Sequence, residues 1–249
     1  MGKASGTGFQ ATPPRVSELK RLRRVFLSRG MVVFGLVVLV LLVITAIFAN
    51  WLAPYDPYKP GVGAPLIGPC NDHLLGTDSL GRDILSRIIY GSRTALMVGF
   101  IAVGFGAITG ITLGVIAGHF GGILNMIIMR GVDALMCFPM LLLALVVAAV
   151  LGSGIGNVII ALGIALIAPY ARVTHGLVLS IRENDYIMAE RAMGAGDLRI
   201  MFRHLLTNAF PPLIVLVTLQ LGAAILAEAG LSFLGIGIEP PGAAWGAMV

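Results

Sequence analysis

Charge is what this sequence has least of. Only 12% of its 249 residues are Asp, Glu, Lys or Arg, where a soluble domain carries about 25%. That shortage excludes an ordinary water-facing surface. Lysine is scarcer still: Lys3, Lys20 and Lys59 are the full set. None closes a G-x-x-x-x-G-K-[ST] loop, so the chain does not bring its own P-loop ATPase. Two cysteines, Cys70 and Cys137, make neither a disulfide framework nor a metal cluster. His73, His119, His175 and His204 are scattered without ligand spacing. No nucleophile–base pattern stands out. Catalysis, metal binding and nucleic-acid binding are therefore not expected of this polypeptide.

Apolar residues dominate instead: 57% of the chain, with a mean hydropathy of +0.95. This is the composition of an all-α polytopic membrane protein. Five spans are expected. The first is Met31–Ala53, with Trp51 and Tyr55 at its far interface. The second is Thr94–Ala117 and the third about Ile123–Leu151. The fourth is about Asn157–Val173 and the fifth about Pro212–Ala229. Seven of the 17 basic residues precede residue 30, and this tail (1–30) is too long and basic for a cleavable signal. In it Val16, Leu19, Leu22 and Val25 recur among Lys20, Arg21, Arg23 and Arg24, which predicts a basic amphipathic surface helix. The positive-inside rule then puts the N-terminus in the cytoplasm. Loop 54–93 falls outside, 174–211 inside with four arginines, and 230–249 outside.

Three features inside the spans invite a functional reading, each beside a plainer one. Gly106, Gly110, Gly114 and Gly118 form one smooth stripe, for close packing within the chain or for a bundle that rocks. Arg130 and Asp133 share a helix face near the inner end, where local pairing is the simpler reading. Glu228 is a lone acid that either lines a pathway or reaches interfacial water.

The conspicuous polar segment is 180–210. Ser180 to Glu183 fits a capping box that starts a helix running to about Met193. Gly194-Ala195-Gly196 stops it, and Asp197 caps a second helix. On that helix Leu198, Met201, Phe202, Leu205 and Ala209 share a side, with Arg199 and Arg203 elsewhere. Pro211 and Pro212 should end it and restart the membrane span. The product is an amphipathic elbow shaped for packing under the bundle or for helix-in-groove docking. On the outer side, Thr77 or Asp78 is expected to cap a short helix through Tyr90, with Ile84, Leu85 and Ile88 toward the membrane surface.

Three stretches carry a resemblance. RAMGAGDLRIMFRHLLTNAFPPL (191–213), LLGTDSLGRDILSRIIYGSR (74–93) and AEAGLSFLGIGIEPPGAAWGAM (227–248) occur in the order found in ABC importer inner-membrane permeases. The chain resembles the dipeptide/oligopeptide/nickel branch, of DppC/OppC type, from about residue 74 onward. The family's Glu-Ala-Ala-x-x-x-Gly pattern falls on Met188, Ala189, Glu190 and Gly194. Met188 departs from the usual Glu, and Thr207 from the usual Pro before Asn208.

The resemblance implies a permease bundle whose segment 180–210 is a cytoplasmic coupling loop. Asp185, Tyr186, Ala189, Glu190, Arg191, Gly194, Ala195, Asp197, Arg199 and Arg203 would face the ATPase. With Met188 in place of Glu, Glu190 or Asp185 takes over the main charge contact. Thr77, Asp78, Arg82 and Asp83 would help to dock a binding protein or partner permease, unless they seal the outer end of the bundle. Implied partners are a second, homologous permease of DppB/OppB type, two cytoplasmic ATP-binding subunits or domains, and an extracytoplasmic substrate-binding protein, in the inner membrane of a prokaryote. ATP and magnesium would sit on the ATPase, with no cofactor on this chain. The family also has a sixth helix, beyond the five spans expected here, of which four lie in core 94–249. Peptide is the first expected substrate, with nickel or another small solute as the alternative. A secondary transporter or a non-transporting scaffold are the rival classes, and no convincing internal repeat supports the first of them.

Overall fold

The computed structural model describes residues 30–249. The basic segment 16–25 lies outside the described residues. Contacts divide the chain after Leu42. Of the first unit, residues 30–42 belong to helix α1 (Gly30–Ile47), which is apolar and exposed on nearly every face. The second unit, 43–249, holds everything described below.

That unit is helical. A short α2 (Ala49–Leu52) precedes an ordered loop, and then comes α3 (Ile84–Phe120). It is followed by α4 (Gly122–Met136), α5 (Met140–Leu151) and α6 (Ile155–Arg182). Helix α7 (Asp185–Ala192) and the long α8 (Asp197–Phe233) complete the set, with a final 3-10 turn at Gly246–Met248. Among the described residues, four helices, α1 included, are long and apolar enough to cross a membrane, or five if the bent α4–α5 pair counts as one span.

Several spans differ from the sequence reading. Helix α3 starts ten residues before Thr94, because Asp83 accepts the Ser86 N–H at 2.8 Å and caps it there. No separate helix runs from Thr77 or Asp78 to Tyr90. The third span is not continuous: α4 and α5 meet at a 92° bend. Pro139 lacks an N–H and disfavours helical backbone at Phe138, so the helix stops and restarts in a new direction. At 15 and 12 residues, the two pieces measure roughly 22 and 18 Å, and neither alone crosses a ~30 Å core. Helix α8 shows the opposite error. Pro211 and Pro212 lie inside it, and it runs unbroken from the elbow into the membrane. Its start is wound as a π-helix over Ile200–Leu205. Thr207 Oγ1 donates to the Phe202 carbonyl and Asn208 Nδ2 to that of His204, serving acceptors at the change of winding.

Packing centres on α3 against α6. Each glycine of the stripe faces α6: Gly106 meets Leu166, Gly110 meets Ile167 and Tyr170, Gly114 meets Ala171 and Thr174, and Gly118 meets Val178. Both numbers rise together, so the two helices run parallel. A Cβ on Gly114 would stand 2.6 Å from both the Ala171 carbonyl oxygen and the Thr174 Cβ. The stripe is thus spent on contact within the chain. Because the pair is parallel, 121–154 must carry the chain back along the bundle, which the bent α4–α5 limb does. Helix α8 packs antiparallel to α3, with Leu221 and Ile225 over Gly99 and Leu205 near Val115.

This contact predicts a graded result. Gly114→Val should cost at least the 1–3 kcal/mol typical of overpacking, seen as a lower unfolding temperature of the detergent-solubilised protein. Gly104→Val, on the same helix with open space around its Cα, should change it far less.

Candidate functional site

The elbow is built from three chain ends. Helix α6 runs nine residues beyond Val173 and ends at Arg182, so Ser180 lies in its last turn rather than starting a new helix. Asn184 Nδ2 donates to the Ser180 and Ile181 carbonyls at 3.4 and 2.8 Å, closing that end. Helix α7 follows and stops where expected. The Ala195 N–H donates to the Glu190 carbonyl and the Gly194 N–H to that of Arg191, each at 3.0 Å. Gly194 sits at φ +83°. These two bonds and a left-handed glycine make a Schellman corner.

The elbow's inner face is Ile187, Ile200, Met201 and Leu205, buried against Val115 of α3 and Val178 of α6. Its outer face exposes Tyr186, Met188, Met193, Leu198 and Phe202. Of the five residues expected to share a side, Met201, Leu205 and Ala209 are buried, while Leu198 and Phe202 are exposed. Asp185, Ala189, Arg191, Gly194, Asp197, Arg199 and Arg203 are exposed, and Glu190 and Ala195 half-buried.

Two carboxylates of the elbow have partners that no local pattern announces. Asp197 does not cap its helix, since Gly196 holds that position without a side-chain bond. Its Oδ1 instead lies 2.7 Å from Nε2 of His119, at the end of α3. Glu190 Oε1 lies 3.4 Å from His204 Nε2, an ionic contact between the two arms when the ring is protonated. Arg182 Nη1 also donates to the Gly118 carbonyl at 2.9 Å. Sequence reading missed His119 because its partner is 78 residues away. It missed Ile187 because Glu190 and Arg191, one turn on, break the apolar repeat.

The residues around Asp83 form a brace. Asp83 is fully buried, with Oδ1 2.9 Å from His73 Nδ1 and Oδ2 accepting from both the N–H and Oγ of Ser86. These are the residue types of a hydrolase triad, but the carboxylate stands in the middle and no base touches the hydroxyl, so no nucleophile is activated. Thr77 is buried as well, its Oγ1 donating to the Ala64 carbonyl and accepting from the Ile67 N–H. Asp78 Oδ1 accepts from the Leu80 and Arg82 N–H groups, and Oδ2 from Arg82 Nε at 2.7 Å. Burial alone would raise the Asp78 carboxyl, but the Arg82 and Leu80 hydrogen bonds outweigh it and hold it below the usual range. Arg87 donates to the carbonyls of Pro57, Pro241 and Gly242, tying the loop to the C-terminal segment. Trp245 Nε1 adds a bond to the Ile88 carbonyl. Thr77 and Asp83 are thus turned inward, while Asp78 and Arg82 are half-buried.

Two intramembrane assignments change. Asp133 pairs with Arg172 of α6, and Arg130 is exposed. Glu228 is fully buried and accepts from Ser232 Oγ at 2.7 Å, one helical turn on, so neither interfacial water nor an open pathway touches it in this conformation.

Removing the brace has a defined cost. Asp83→Ala should orphan the Ser86 N–H and His73, destabilising the outer loop by about 1–3 kcal/mol. Limited proteolysis should cut 54–83 faster in the variant, while the elbow keeps its cleavage pattern.

Comparisons with known proteins agree with this architecture. The family of binding-protein-dependent transport system inner membrane components matches residues 110–249. The N-terminal TM domain of oligopeptide transport permease C matches residues 17–69. The chain is 43% identical over 231 residues to the glutathione transport system permease protein GsiD of Escherichia coli O6:K15:H31 (strain 536), covering 92% of this chain and 75% of that one. It is 41% identical over 239 residues to the di/tripeptide transport system permease protein DppC of Pseudomonas aeruginosa (strain UCBPP-PA14), covering 94% and 79%. A bundle of membrane-spanning helices, a glycine-cornered elbow and these matches together place the chain in the family of binding-protein-dependent transport system inner membrane components, the membrane-embedded permeases of ABC importers.

Proposed function

We propose that this chain is one of two permease subunits in an ATP-driven importer of short peptides, with its elbow in the cytoplasm against an ATPase. The observation that carries the reading is the division of the elbow's two faces. Ile187, Ile200, Met201 and Leu205 anchor it to α3 and α6, while Tyr186, Met188, Met193, Leu198 and Phe202 stand exposed beside Arg191, Arg199 and Arg203. An apolar patch rimmed by charge on a rigid corner is what helix-in-groove docking requires. Met188 keeps the patch apolar where the family has a Glu. Glu190 is turned toward His204, which leaves exposed Asp185 as the free acid of the pair.

The chain is a non-catalytic subunit in this reading. ATP and magnesium are bound by two partner ATPase subunits or domains, a second permease completes the pathway, and an extracytoplasmic binding protein delivers the solute. The N-terminus lies in the cytoplasm and the brace around Asp83 outside. Closure of the ATPases moves the elbow, and the bundle switches between two rigid states. Short peptides are favoured as substrate because the relatives above are named for glutathione and for di- and tripeptides.

Gly194 provides the test. A β-branched residue is strained at φ +83°. Gly194→Val should leave membrane insertion intact and reduce peptide uptake by at least tenfold, with ATP hydrolysis no longer stimulated by loaded binding protein. Normal uptake in this variant, with no ATPase co-purifying with the native chain, would overturn the assignment.

A further inference from the structure

The elbow transmits movement only as well as it grips the bundle. Its apolar grip is a small cluster of side chains, and such contacts slide more readily than they separate. Its directional grip is at the end of α3. There His119 is nearly buried, its side chain 2% exposed, and Nε2 lies 2.7 Å from Asp197 Oδ1 at the elbow's corner. With a carboxylate opposite, Nε2 carries the proton and donates. Phe120 stands edge-on to the ring, centroids 5.0 Å apart. One residue earlier, the Gly118 carbonyl accepts from Arg182 of α6, and Gly118 itself is the last glycine packed on α6. The corner therefore holds α3 where α3 is locked to α6.

We infer that His119 is a positioning residue for energy coupling: its hydrogen bond to Asp197 is the joint through which elbow displacement is imposed on the α3–α6 pair. The inference rests on the coupling role proposed for the elbow, and it goes further by naming the load-carrying contact. A charge-assisted bond has a preferred distance and direction, so it resists both pull and shear. Asp197 is 64% exposed and accessible to a partner, whereas His119 is not. Changing His119 thus removes the joint while leaving the elbow's outer face as it was.

The experiment uses the whole importer, permease pair with ATPases, reconstituted in liposomes with its loaded binding protein and a radiolabelled dipeptide. His119→Ala should still co-purify with the ATPase and keep basal hydrolysis within about twofold. Uptake per ATP hydrolysed should fall at least fivefold. His119→Gln, whose amide Nε2 offers a donor at similar reach, should recover most of that ratio. A purely structural role would lower the unfolding temperature without this rescue. Wild-type uptake per ATP in His119→Ala would overturn the inference, as would equal loss in the Ala and Gln variants. If the wild-type complex shows no ATPase association or no ATP-dependent uptake, the coupling role itself fails, and that failure is visible before any variant is made.

Discussion

Backbone-close packing of α3 on α6 is the contact on which the rest of this molecule depends. Four glycines at successive helical turns remove the side chains that would hold the helices apart. The helices then meet through carbonyls and Cβ atoms, where dispersion is dense and apolar solvent offers no competing drive. Everything else is arranged around this parallel pair. The bent α4–α5 limb returns the chain from one end to the other, α8 lies antiparallel across it, and the elbow is joined to the C-terminal end of α6.

The two ends of the bundle are secured by different chemistry. At one end, neutral and charged hydrogen bonds close a loop around buried Asp83, and Arg87 fastens that loop to the chain's last segment through three carbonyls. At the other, the elbow presents a hydrophobic underside and two histidine–carboxylate contacts, one between its arms and one to α3. The Asp83 end is internally satisfied. The elbow end leaves large apolar side chains uncovered.

Much of this was legible in the sequence, for reasons of chemistry. Apolar runs find spans because lipid tolerates little else. Gly194 was found because a left-handed corner needs glycine, and the stripe because its spacing matches the helical repeat. What escaped were consequences of three-dimensional neighbours. Pro139 breaks a helix while Pro211 and Pro212 do not, and nothing local separates the cases. Asp133 was matched to Arg130 by spacing, but Arg172 across the interface is its partner; a lone Arg inside the expected fourth span was the available clue. Likewise, Asp197 looked like a cap because caps are local, and its histidine is not.

The parallel run of α3 and α6 also sets an order of events during synthesis. Every glycine of the stripe finds its partner on α6 sixty residues later in the chain. At roughly 5–20 residues per second, α3 resides in the membrane for about 3–12 s with its groove unfilled. No hairpin can close a parallel pair, so the α4–α5 limb must be threaded back before the groove is occupied. The central contact of the finished protein thus waits for α6, and the contacts of α8 and of the C-terminal segment follow it. Until then the glycine face is open to whichever helix passes, which places a premium on what the translocation machinery keeps away from it.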